Sequence, residues 1–368
     1  MIGFPQKMYL NRTIAKHLPD DISLKAVSAL PGDRARVFAD AGYAVRTIGL
    51  ALKALISELI EFKPDIVFTD YPAYPAWCAK LYSLLRLHHV PVVAWLLGDW
   101  WTEHHALVST ARFRRKLFSP LNMFGWSTGL KFADRILPVS NWLKRIVDHR
   151  FPNKTTTVLP RGIDPEAWVV EENSQYAFER PAVGIVQDNY VFPKVKGLLE
   201  FSSVVRKMRD INFYIAGGGT YTPLVEKEYS GLPNAHMIGR LSYPEGVRRF
   251  YRSTDVYVLA SGLESASNTV LEASLCERPV VASRVGGVPE RVLEAQTGWT
   301  VPNGEINTWI GRIGELVEDE NLRRRIGSNG RRFVLDNFSW NIMASRLASI
   351  FREELALGSH SYSPDRIQ

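Results

Sequence analysis

Glu264 and Glu272, separated by seven residues, are the side chains whose type and spacing say most about chemistry. Carboxylates accept hydrogen bonds from hydroxyls, so the pair could hold a ribose diol or other sugar hydroxyls. The apolar runs 255–260 and 278–283 read as buried strands on either side of a helix. Ligands of open parallel sheets bind beyond the strands' carboxyl ends. We therefore predict Glu264 at a crevice mouth, and Glu272 near a helix N-terminus that favours an anion such as a diphosphate.

Both acids also have a purely structural explanation. The spacing of Thr269 and Glu272 fits a capping box, in which the glutamate satisfies an N-terminal donor of its own helix. Glu264 could be an ordinary solvated loop acid. The spacing alone does not decide between binding and structure, so the decision rests on the other motifs of the chain.

Further motifs accompany the two acids along the chain. They are ADRILPVS at 133–140, LPRGID at 159–164, KG at 196–197, IAGGG at 215–219, AS at 260–261, EA at 272–273, RPVVAS at 278–283, VGGVPE at 285–290, TG at 297–298 and FSW at 338–340. With these motifs, roughly residues 60 to 355 resemble the retaining glycosyltransferases of family 4. The resemblance implies the GT-B fold, an α/β architecture of two Rossmann-like, doubly wound domains facing across a cleft.

The resemblance implies roles for the residues that follow the strands of the second domain. Lys196, which precedes Gly197, is expected to bind the diphosphate, and Glu264 is expected to hold the donor sugar. The loop between the two acids would contact sugar hydroxyls through Ser265, Ala266 and Ser267, and phosphates through Asn268, Thr269 and Val270. Without that context, Lys196 could equally be a solvated surface lysine.

One loop departs from the pattern of the family. The family usually has Gly-Arg directly after the first strand of the second domain, whereas this chain has Gln187-Asp188. Either Lys194 supplies the second positive charge, or the diphosphate is held more weakly. A lysine is a compact charge suited to a leaving phosphate, which gains negative charge as the glycosidic bond breaks.

Glycines end two other strands of the second half. Gly218 lies in the run 217–219, and Arg240 follows Gly239. Glycine lets a backbone approach a flat base or a ribose closely, so these residues and Glu272 outline a nucleoside pocket. A plain tight turn is the alternative, because no GxGxxG motif follows either strand.

Strands and helices alternate along the chain, as in doubly wound sheets. The predicted strands of the first sheet are 21–30, 65–68, 90–97, 135–139 and 155–159, with an amphipathic helix over 41–62. The predicted strands of the second sheet are 183–186, 211–216, 235–238, 255–260 and 279–282. Periodicity weakens over 160–181, which reads as the hinge.

These elements predict the domain organisation. An acceptor-binding domain covers 1–165, and a nucleotide-sugar-binding domain covers 166–340. A last helix over 341–357 is expected to return to the first domain, and 358–368 form a polar tail. The abrupt start lacks a full first strand with its glycine loop, so Gly3 is a remnant of that loop or the true start lies upstream.

The first domain matches the family less well than the second. The histidine that the family often carries after the strand 90–97 is absent from its usual place. Asp99, Glu103 and His104 follow that strand and are candidate acceptor-side residues. A polar loop with an aspartate turn or a helix cap explains them equally well.

The composition fits a two-domain globular protein. The 368 residues are 46% apolar and 23% charged, and the two cysteines are too few for a disulfide framework or a zinc cluster. No apolar run approaches the roughly 20 residues of a membrane span. A cytoplasmic location is therefore expected.

A basic stretch accompanies the net charge of +7. Residues 111–118 place four cations, from Arg112 to Lys116, among aromatic side chains. Such a stretch fits the anionic inner face of a membrane, which would suit a lipid-linked acceptor. A helix with a solvated basic face is the alternative. Nucleic acid is disfavoured, because no recognised motif accompanies the charge.

The motifs and the resemblance together predict a retaining glycosyltransferase. It would move a sugar from a nucleoside-diphosphate donor to a hydroxyl of a glycan, polysaccharide or lipid-linked precursor. No Asp-x-Asp triplet occurs, so neither a metal nor another cofactor is expected. Two alternatives stay open, a nucleotide-sugar 2-epimerase of the same architecture and a non-catalytic protein that binds sugar nucleotides.

Overall fold

The structure is a computed structural model that describes residues 2–3, 8–23, 27–28, 53, 55–70, 73–86, 88–109, 113–169 and 176–360. The chain divides into two compact units. Unit 1 comprises Met1–Arg161 with Trp340–Gln368, and unit 2 comprises Gly162–Ser339. The first boundary falls four residues before the predicted end of the first domain at 165, and unit 1 resumes one residue before the predicted last helix.

The described strands form one six-stranded sheet in each unit. Those of unit 1 are β1 Ile2–Gly3, β2 Val27–Ser28, β3 Val67–Thr69, β4 Val92–Leu96, β5 Arg135–Pro138 and β6 Thr155–Thr156. Those of unit 2 are β7 Ala182–Val186, β8 Asn212–Ala216, β9 Ala235–Gly239, β10 Val256–Leu259, β11 Val280–Ser283 and β12 Gly298–Val301. Neighbouring strands are parallel in both sheets, so the predicted α/β class is confirmed.

Helices connect these strands. Those of unit 1 begin with α1 Met8–His17, α2 Ala73–Arg86, α3 Trp100–Ser109, α4 Phe113–Phe132 and α5 Asn141–Arg150. Those of unit 2 are α6 Phe192–Lys207, α7 Thr222–Tyr229, α8 Glu245–Arg252, α9 Asn268–Leu275, α10 Ile306–Glu318 and α11 Glu320–Phe338. The last helix, α12 Trp340–His360, returns to unit 1.

Some predicted elements fall partly outside the described residues. Of the predicted helix 41–62, residues 55–62 are helical, and residues 41–52 and 54 are not described. Of the predicted strand 21–30, β2 accounts for two residues, and residues 24–26 and 29–30 are not described. The predicted tail 358–368 is wrong at residues 358–360, which continue the last helix, and residues 361–368 are outside the described part.

α12 is held to the sheet of unit 1 by aromatic packing and a buried ion pair. Phe351 meets the ring of Phe68 edge-on, with 5.5 Å between centroids. The guanidinium of Arg135 donates to Glu354 at 2.6 Å and to Glu353 at 2.8 Å. Arg135 and Glu354 are both buried, so both charges have lost their hydration, and their mutual attraction compensates for this cost.

The sheet of unit 2 has the spatial order β12-β11-β10-β7-β8-β9. The chain adds β8 and β9 on one side of β7 and then crosses to β10 on the other side, so the strand order reverses between β7 and β10. Apolar side chains cover both faces of the sheet. Val256 and Val258 of β10 belong to one buried cluster, and Tyr257 and Leu259 belong to the other, as the alternation of a strand dictates. Sheets of this topology bind ligands where the strand order reverses, beyond the carboxyl ends of the strands.

Candidate functional site

The loops after β7 and β10 leave the sheet of unit 2 where its strand order reverses. β7 and β10 are hydrogen-bonded neighbours. The loop 187–191 leads into α6, and the loop 260–267 leads into α9. Because the strands are parallel, both helix N-termini lie at the same edge of the sheet. The predicted donor-binding residues belong to these loops and first turns, or to the loops after β8 and β9.

Glu264 is buried, and its backbone is fixed by the glycine pair of the segment 285–290. Its carbonyl oxygen accepts a hydrogen bond from the N–H of Gly287 at 3.0 Å. Gly286 has a φ of 54°, and a Cβ atom there would lie 1.6 Å from the same oxygen. Both the left-handed backbone and this overlap exclude a side chain. The VGGVPE motif therefore positions Glu264.

Replacing Gly286 with alanine is expected to destabilise unit 2 by more than about 2 kcal/mol, since the added methyl group would displace the backbone of Glu264. Denaturant unfolding followed by circular dichroism measures the loss. Gly304→Ala is the matched control, because Gly304 has a φ of 85° but no atom within 4 Å of an added Cβ. Equal losses in the two variants would contradict the role given to Gly286.

Lys194 is the lysine that the structure brings to Glu264. Its ammonium nitrogen lies 3.8 Å from Oε2 of Glu264, and its side chain is only 25% exposed. Its carbonyl oxygen accepts hydrogen bonds from the N–H of Gly262 at 3.1 Å and from Nε2 of Gln187 at 3.2 Å. The loops after β7 and β10 are therefore joined at Lys194. A cation held beside two helix N-termini suits a phosphate ligand.

Lys196 lies on the solvent side of α6. Its ammonium nitrogen is 3.7 Å from Oε1 of Glu200, one turn along the helix, and its side chain is 66% exposed. Among the described residues it thus pairs with Glu200 rather than with Glu264, and its diphosphate role stays a prediction. Gly197 packs inward, because a Cβ there would lie 2.3 Å from the carbonyl carbon of Ser261. The glycine of the Lys-Gly motif lets α6 contact the chain after β10.

Glu272 is buried in α9, and both of its carboxylate oxygens accept hydrogen bonds from tyrosines. Tyr243 donates to Oε1 at 3.3 Å, and Tyr251 donates to Oε2 at 3.2 Å. Burial, and then the charge of Glu272, raise the pKa of Tyr251 well above its ordinary value, so this hydroxyl remains a donor. Glu272 is the fifth residue of a helix whose N-cap is Ser267. The alternative of a capping box with Thr269 is therefore wrong.

Hydroxyl groups tie together the loop between the two glutamates. Tyr257 donates to Oγ1 of Thr269 at 2.7 Å, and the hydroxyl oxygens of Ser267 and Thr269 are 2.9 Å apart. Ser265 and Ser267 are buried, and the side chain of Val270 packs in the core. The predicted contact residues whose side chains are partly exposed are Ala266, Asn268 and Thr269. A ligand would meet the other members of this loop mainly through their backbone.

Arg240 folds over the glycine run that follows β8. Its guanidinium carbon lies 5.2 Å from the ring centre of Tyr190, and the group donates to the Tyr190 hydroxyl. It also donates to the carbonyl oxygen of Gly218 at 3.4 Å. The structure therefore brings Gly218 and Arg240 together, and their part in a nucleoside pocket stays a prediction.

Gln187 and Asn189, in the loop after β7, are candidate site residues to which the sequence assigned no role of their own. A Cβ on Gly217 or Gly219 would overlap their backbone, at 1.8 Å from the oxygen of Gln187 and 2.4 Å from the carbonyl carbon of Asn189. Both side chains are buried, and within the described part of the chain Oε1 of Gln187 and Oδ1 of Asn189 accept no hydrogen bond. A buried acceptor without a hydrogen bond lowers the stability of the fold by about 1–3 kcal/mol, and a hydrogen bond from a ligand would recover this free energy. Their position directly after a strand was the available signal.

The acceptor-side candidates Asp99, Glu103 and His104 lie at the start of α3 in unit 1. Oδ1 of Asp99 accepts from the N–H of Thr102 at 3.2 Å, as an N-cap does, so Asp99 has the structural role that the sequence also allowed. His104 is buried and its ring packs at a tilt against that of Trp100, with 5.2 Å between ring centroids. Glu103 is partly exposed. The structure places the three within two turns, and their acceptor role stays a prediction.

The remaining predictions concern metal binding, membrane spans and the basic stretch 111–118. Among the described residues, no three His, Cys, Asp or Glu side chains gather as metal ligands would. No described helix is long and apolar enough to cross a membrane. Ala111 and Arg112 lie outside the described residues, as do the side chains of 113–119, so the structure does not place the predicted basic surface.

Two family models match this chain and together cover most of it. The model described as Glycosyltransferase Family 4 matches residues 19–167, and the model described as Glycosyl transferases group 1 matches residues 191–333. The chain therefore belongs to the group 1 glycosyltransferases of family 4. The predicted resemblance is confirmed.

Two of the relatives each match about three fifths of the chain. A GDP-mannose-dependent alpha-(1-6)-phosphatidylinositol monomannoside mannosyltransferase of Mycolicibacterium smegmatis is 28% identical over 255 residues, 61% of this chain and 66% of the relative. The capsular polysaccharide biosynthesis glycosyltransferase CapM of Staphylococcus aureus is 29% identical over 239 residues, 60% of this chain and 61% of the relative. The chain thus spans less than two thirds of the length of these relatives.

Solved structures share the fold over most of the chain. Sucrose-phosphate synthase from Thermosynechococcus elongatus superposes with a TM-score of 0.74 at 16% identity, covering 96% of this chain and 95% of that one. Anabaena HepE in complex with UDP-glucose gives a TM-score of 0.66 at 15% identity, covering 90% and 86%. At such identities the likeness shows the fold alone, and the predicted GT-B fold class is confirmed.

Proposed function

We propose that this protein transfers a sugar from a nucleoside-diphosphate donor to an acceptor hydroxyl, with retention at the anomeric carbon and without a metal ion. The observation that carries the proposal is the placement of Glu264, Lys194 and Glu272 where the strand order of unit 2 reverses. Carboxylates accept hydrogen bonds from sugar hydroxyls, and a lysine beside helix N-termini suits a diphosphate. Membership of the family supports the same class of reaction.

The relatives support a nucleotide-sugar donor. The mycobacterial relative is GDP-mannose-dependent by name, and HepE was solved with UDP and with UDP-glucose. In this chain the ribose would bind at Glu272, whose Oε1 accepts a hydrogen bond from Tyr243. Tyr243 is 61% exposed, so a ribose hydroxyl can replace its phenol as the donor. Tyr251 is buried and would continue to donate its hydrogen bond to Oε2 of Glu272.

The leaving diphosphate is stabilised in this proposal by groups of the chain itself. Lys194 and the free N–H groups at the start of α9 would face the phosphates, and Lys196 is the second candidate cation. These groups counter the negative charge that develops as the glycosidic bond breaks. The reaction as proposed therefore needs no metal ion.

Glu264 is proposed to orient the donor sugar rather than to attack it. The acceptor oxygen forms its bond to the anomeric carbon on the face from which the diphosphate leaves, and a donor phosphate oxygen takes the acceptor's proton. The configuration is thereby retained, and no protein base is required. The proposed acceptor is a glycan, a polysaccharide or a lipid-linked precursor, for which Asp99, Glu103 and His104 are the candidate contacts.

A screen of nucleoside diphosphates by thermal shift is expected to find one that raises the Tm. A ligand that binds only the folded state stabilises it, by about 2.7 kcal/mol at a hundredfold excess over its Kd. The nucleoside monophosphate with the same base is the control, because it lacks the second phosphate that Lys194 would hold. No shift with any nucleoside diphosphate would refute the proposed donor site.

Turnover of the matching nucleotide sugar then separates the possible activities. With a glycan or lipid extract, the proposal expects release of the nucleoside diphosphate together with a labelled acceptor. Conversion of the donor to a free epimer without any acceptor would identify an epimerase instead. Donor binding with no modified product in any extract would identify a non-catalytic protein.

A further inference from the structure

Helices α2 and α4 pack against each other in unit 1, and their outward side carries large apolar side chains. On α2 these side chains recur at the spacing of a single helix face. The six exposed residues, termed the apolar face, are Trp77, Leu81, Leu84 and Leu85 on α2 and Phe124 and Phe132 on α4. Polar residues would be expected on the solvent side of a helix pair that had no partner.

The apolar face is continuous across the two helices. The ring of Trp77 meets those of Phe124 and Phe132 edge-on, each with 6.2 Å between centroids. Its indole N–H donates to Oγ1 of Thr128 at 3.0 Å, which fixes the ring across the boundary between α2 and α4. Leu84 is 67% exposed. A contiguous exposed patch of this kind marks an interaction surface.

The charged residues of the two helices have one sign. Helices α2 and α4 include six Lys and Arg and no Asp or Glu. Lys80, Arg86 and Lys131 are partly or fully exposed. The other three, Arg114, Arg115 and Lys116, belong to the first turn of α4.

We infer that the apolar face binds an anionic phospholipid bilayer. Leucine, phenylalanine and tryptophan side chains enter the boundary between headgroups and acyl chains, and surrounding lysines and arginines contact the headgroups. Lysines and arginines without neighbouring acids on the same helices are attracted to anionic headgroups. A protein partner would have to present an apolar surface together with acids, and an anionic bilayer presents both. The face thus holds unit 1 at a lipid surface.

Vesicle co-sedimentation tests this inference with the full chain. We expect binding to vesicles of phosphatidylcholine mixed with phosphatidylglycerol, weaker binding to phosphatidylcholine alone, and weakening by salt. The double variant Leu84→Gln with Leu85→Gln should lower the partition coefficient at least about tenfold, because two apolar side chains no longer leave water. Leu357→Gln is the matched control, since Leu357 is 61% exposed on α12, outside the two helices. It should bind as the parent protein does.

A fluorescent label gives a second, site-specific readout. The only native thiols, Cys78 and Cys276, are buried, and burial raises the pKa of each to about 12, so they react poorly with labels. A Leu84→Cys variant can therefore be labelled at one place with an environment-sensitive dye. The dye's emission should shift to shorter wavelength with the anionic vesicles. The same dye on a Leu357→Cys variant should not shift.

Three outcomes would overturn the inference. They are absence of binding to anionic vesicles, equal binding by the double variant and the parent, and an unshifted dye at position 84. Sedimentation equilibrium that turns from dimer to monomer in the double variant, without vesicle binding, would assign the face to self-association instead. No step of these experiments uses a sugar nucleotide, so their failure is distinguishable from failure of the proposed function.

Discussion

Replacing Lys194 with alanine is expected to lower kcat/KM for sugar transfer by about a hundredfold or more, as removal of one group that stabilises developing charge typically does in a preorganised site. The ammonium of Lys194 lies 3.8 Å from Glu264, and the leaving diphosphate gains its charge there in the proposed reaction. Lys194→Arg keeps the charge and should recover part of the rate. Steady-state kinetics with the donor identified by thermal shift measure these effects.

Lys196→Ala is the matched comparison, because it removes the same side chain two residues along the same helix. The side chain of Lys196 is 66% exposed and pairs with Glu200, and surface pairs of this kind contribute little. We expect a loss of less than about tenfold, because solvent and salt screen an exposed charge. A larger loss in Lys196→Ala than in Lys194→Ala would return the diphosphate role to Lys196, as the family resemblance implies.

Five of the six described strands of unit 2 were predicted, because a parallel sheet is covered on both faces and its strands are short apolar runs. The edge strand β12, Gly298–Val301, was not predicted. The run 255–260 contains β10, Val256–Leu259, and the run 279–282 overlaps β11, Val280–Ser283. The ends differ by one or two residues, because hydrogen bonding rather than hydropathy sets them. β1 is only Ile2–Gly3, and no apolar run of that length could have marked a strand.

The choice between Lys194 and Lys196 was not available from the sequence. Residues two apart on an α-helix point about 200° apart around its axis, so only one of the two can face the loop of Glu264. The rotation of α6 decides which one, and Gly197 constrains that rotation by packing against the backbone of Ser261. A motif preserves the order of residues but not the directions of their side chains.

The hydrogen-bond partners of Glu272 were hidden for a different reason. Tyr243 and Tyr251 precede it by 29 and 21 residues, and Tyr251 belongs to α8. Such contacts depend on how α8 packs beside α9, which no local spacing encodes. The local pattern with Thr269 instead suggested a capping box, which the start of α9 at Asn268 excludes.

Glu264→Gln is expected to lower kcat by about a hundredfold while changing the donor Kd by less than about tenfold. In the proposed reaction this carboxylate orients the sugar as its anomeric carbon is attacked, so the lost charge matters most in the transition state. Glutamine keeps the size of the side chain and the backbone hydrogen bond to Gly287, so the loop should keep its conformation. Isothermal titration calorimetry measures the donor Kd, and product formation at saturating donor measures kcat.

Glu272→Gln is expected to give the opposite pattern, which makes the pair of variants a test of both roles. The ribose does not change during the reaction, so weakening its acceptor raises KM by about tenfold and leaves kcat nearly unchanged. The amide oxygen can still accept from Tyr251, which limits the structural cost. If Glu272→Gln lost kcat and Glu264→Gln did not, Glu272 would be the residue that orients the sugar, and Glu264 would be assigned to the ribose. Unchanged constants in both variants would remove the two glutamates from the donor site.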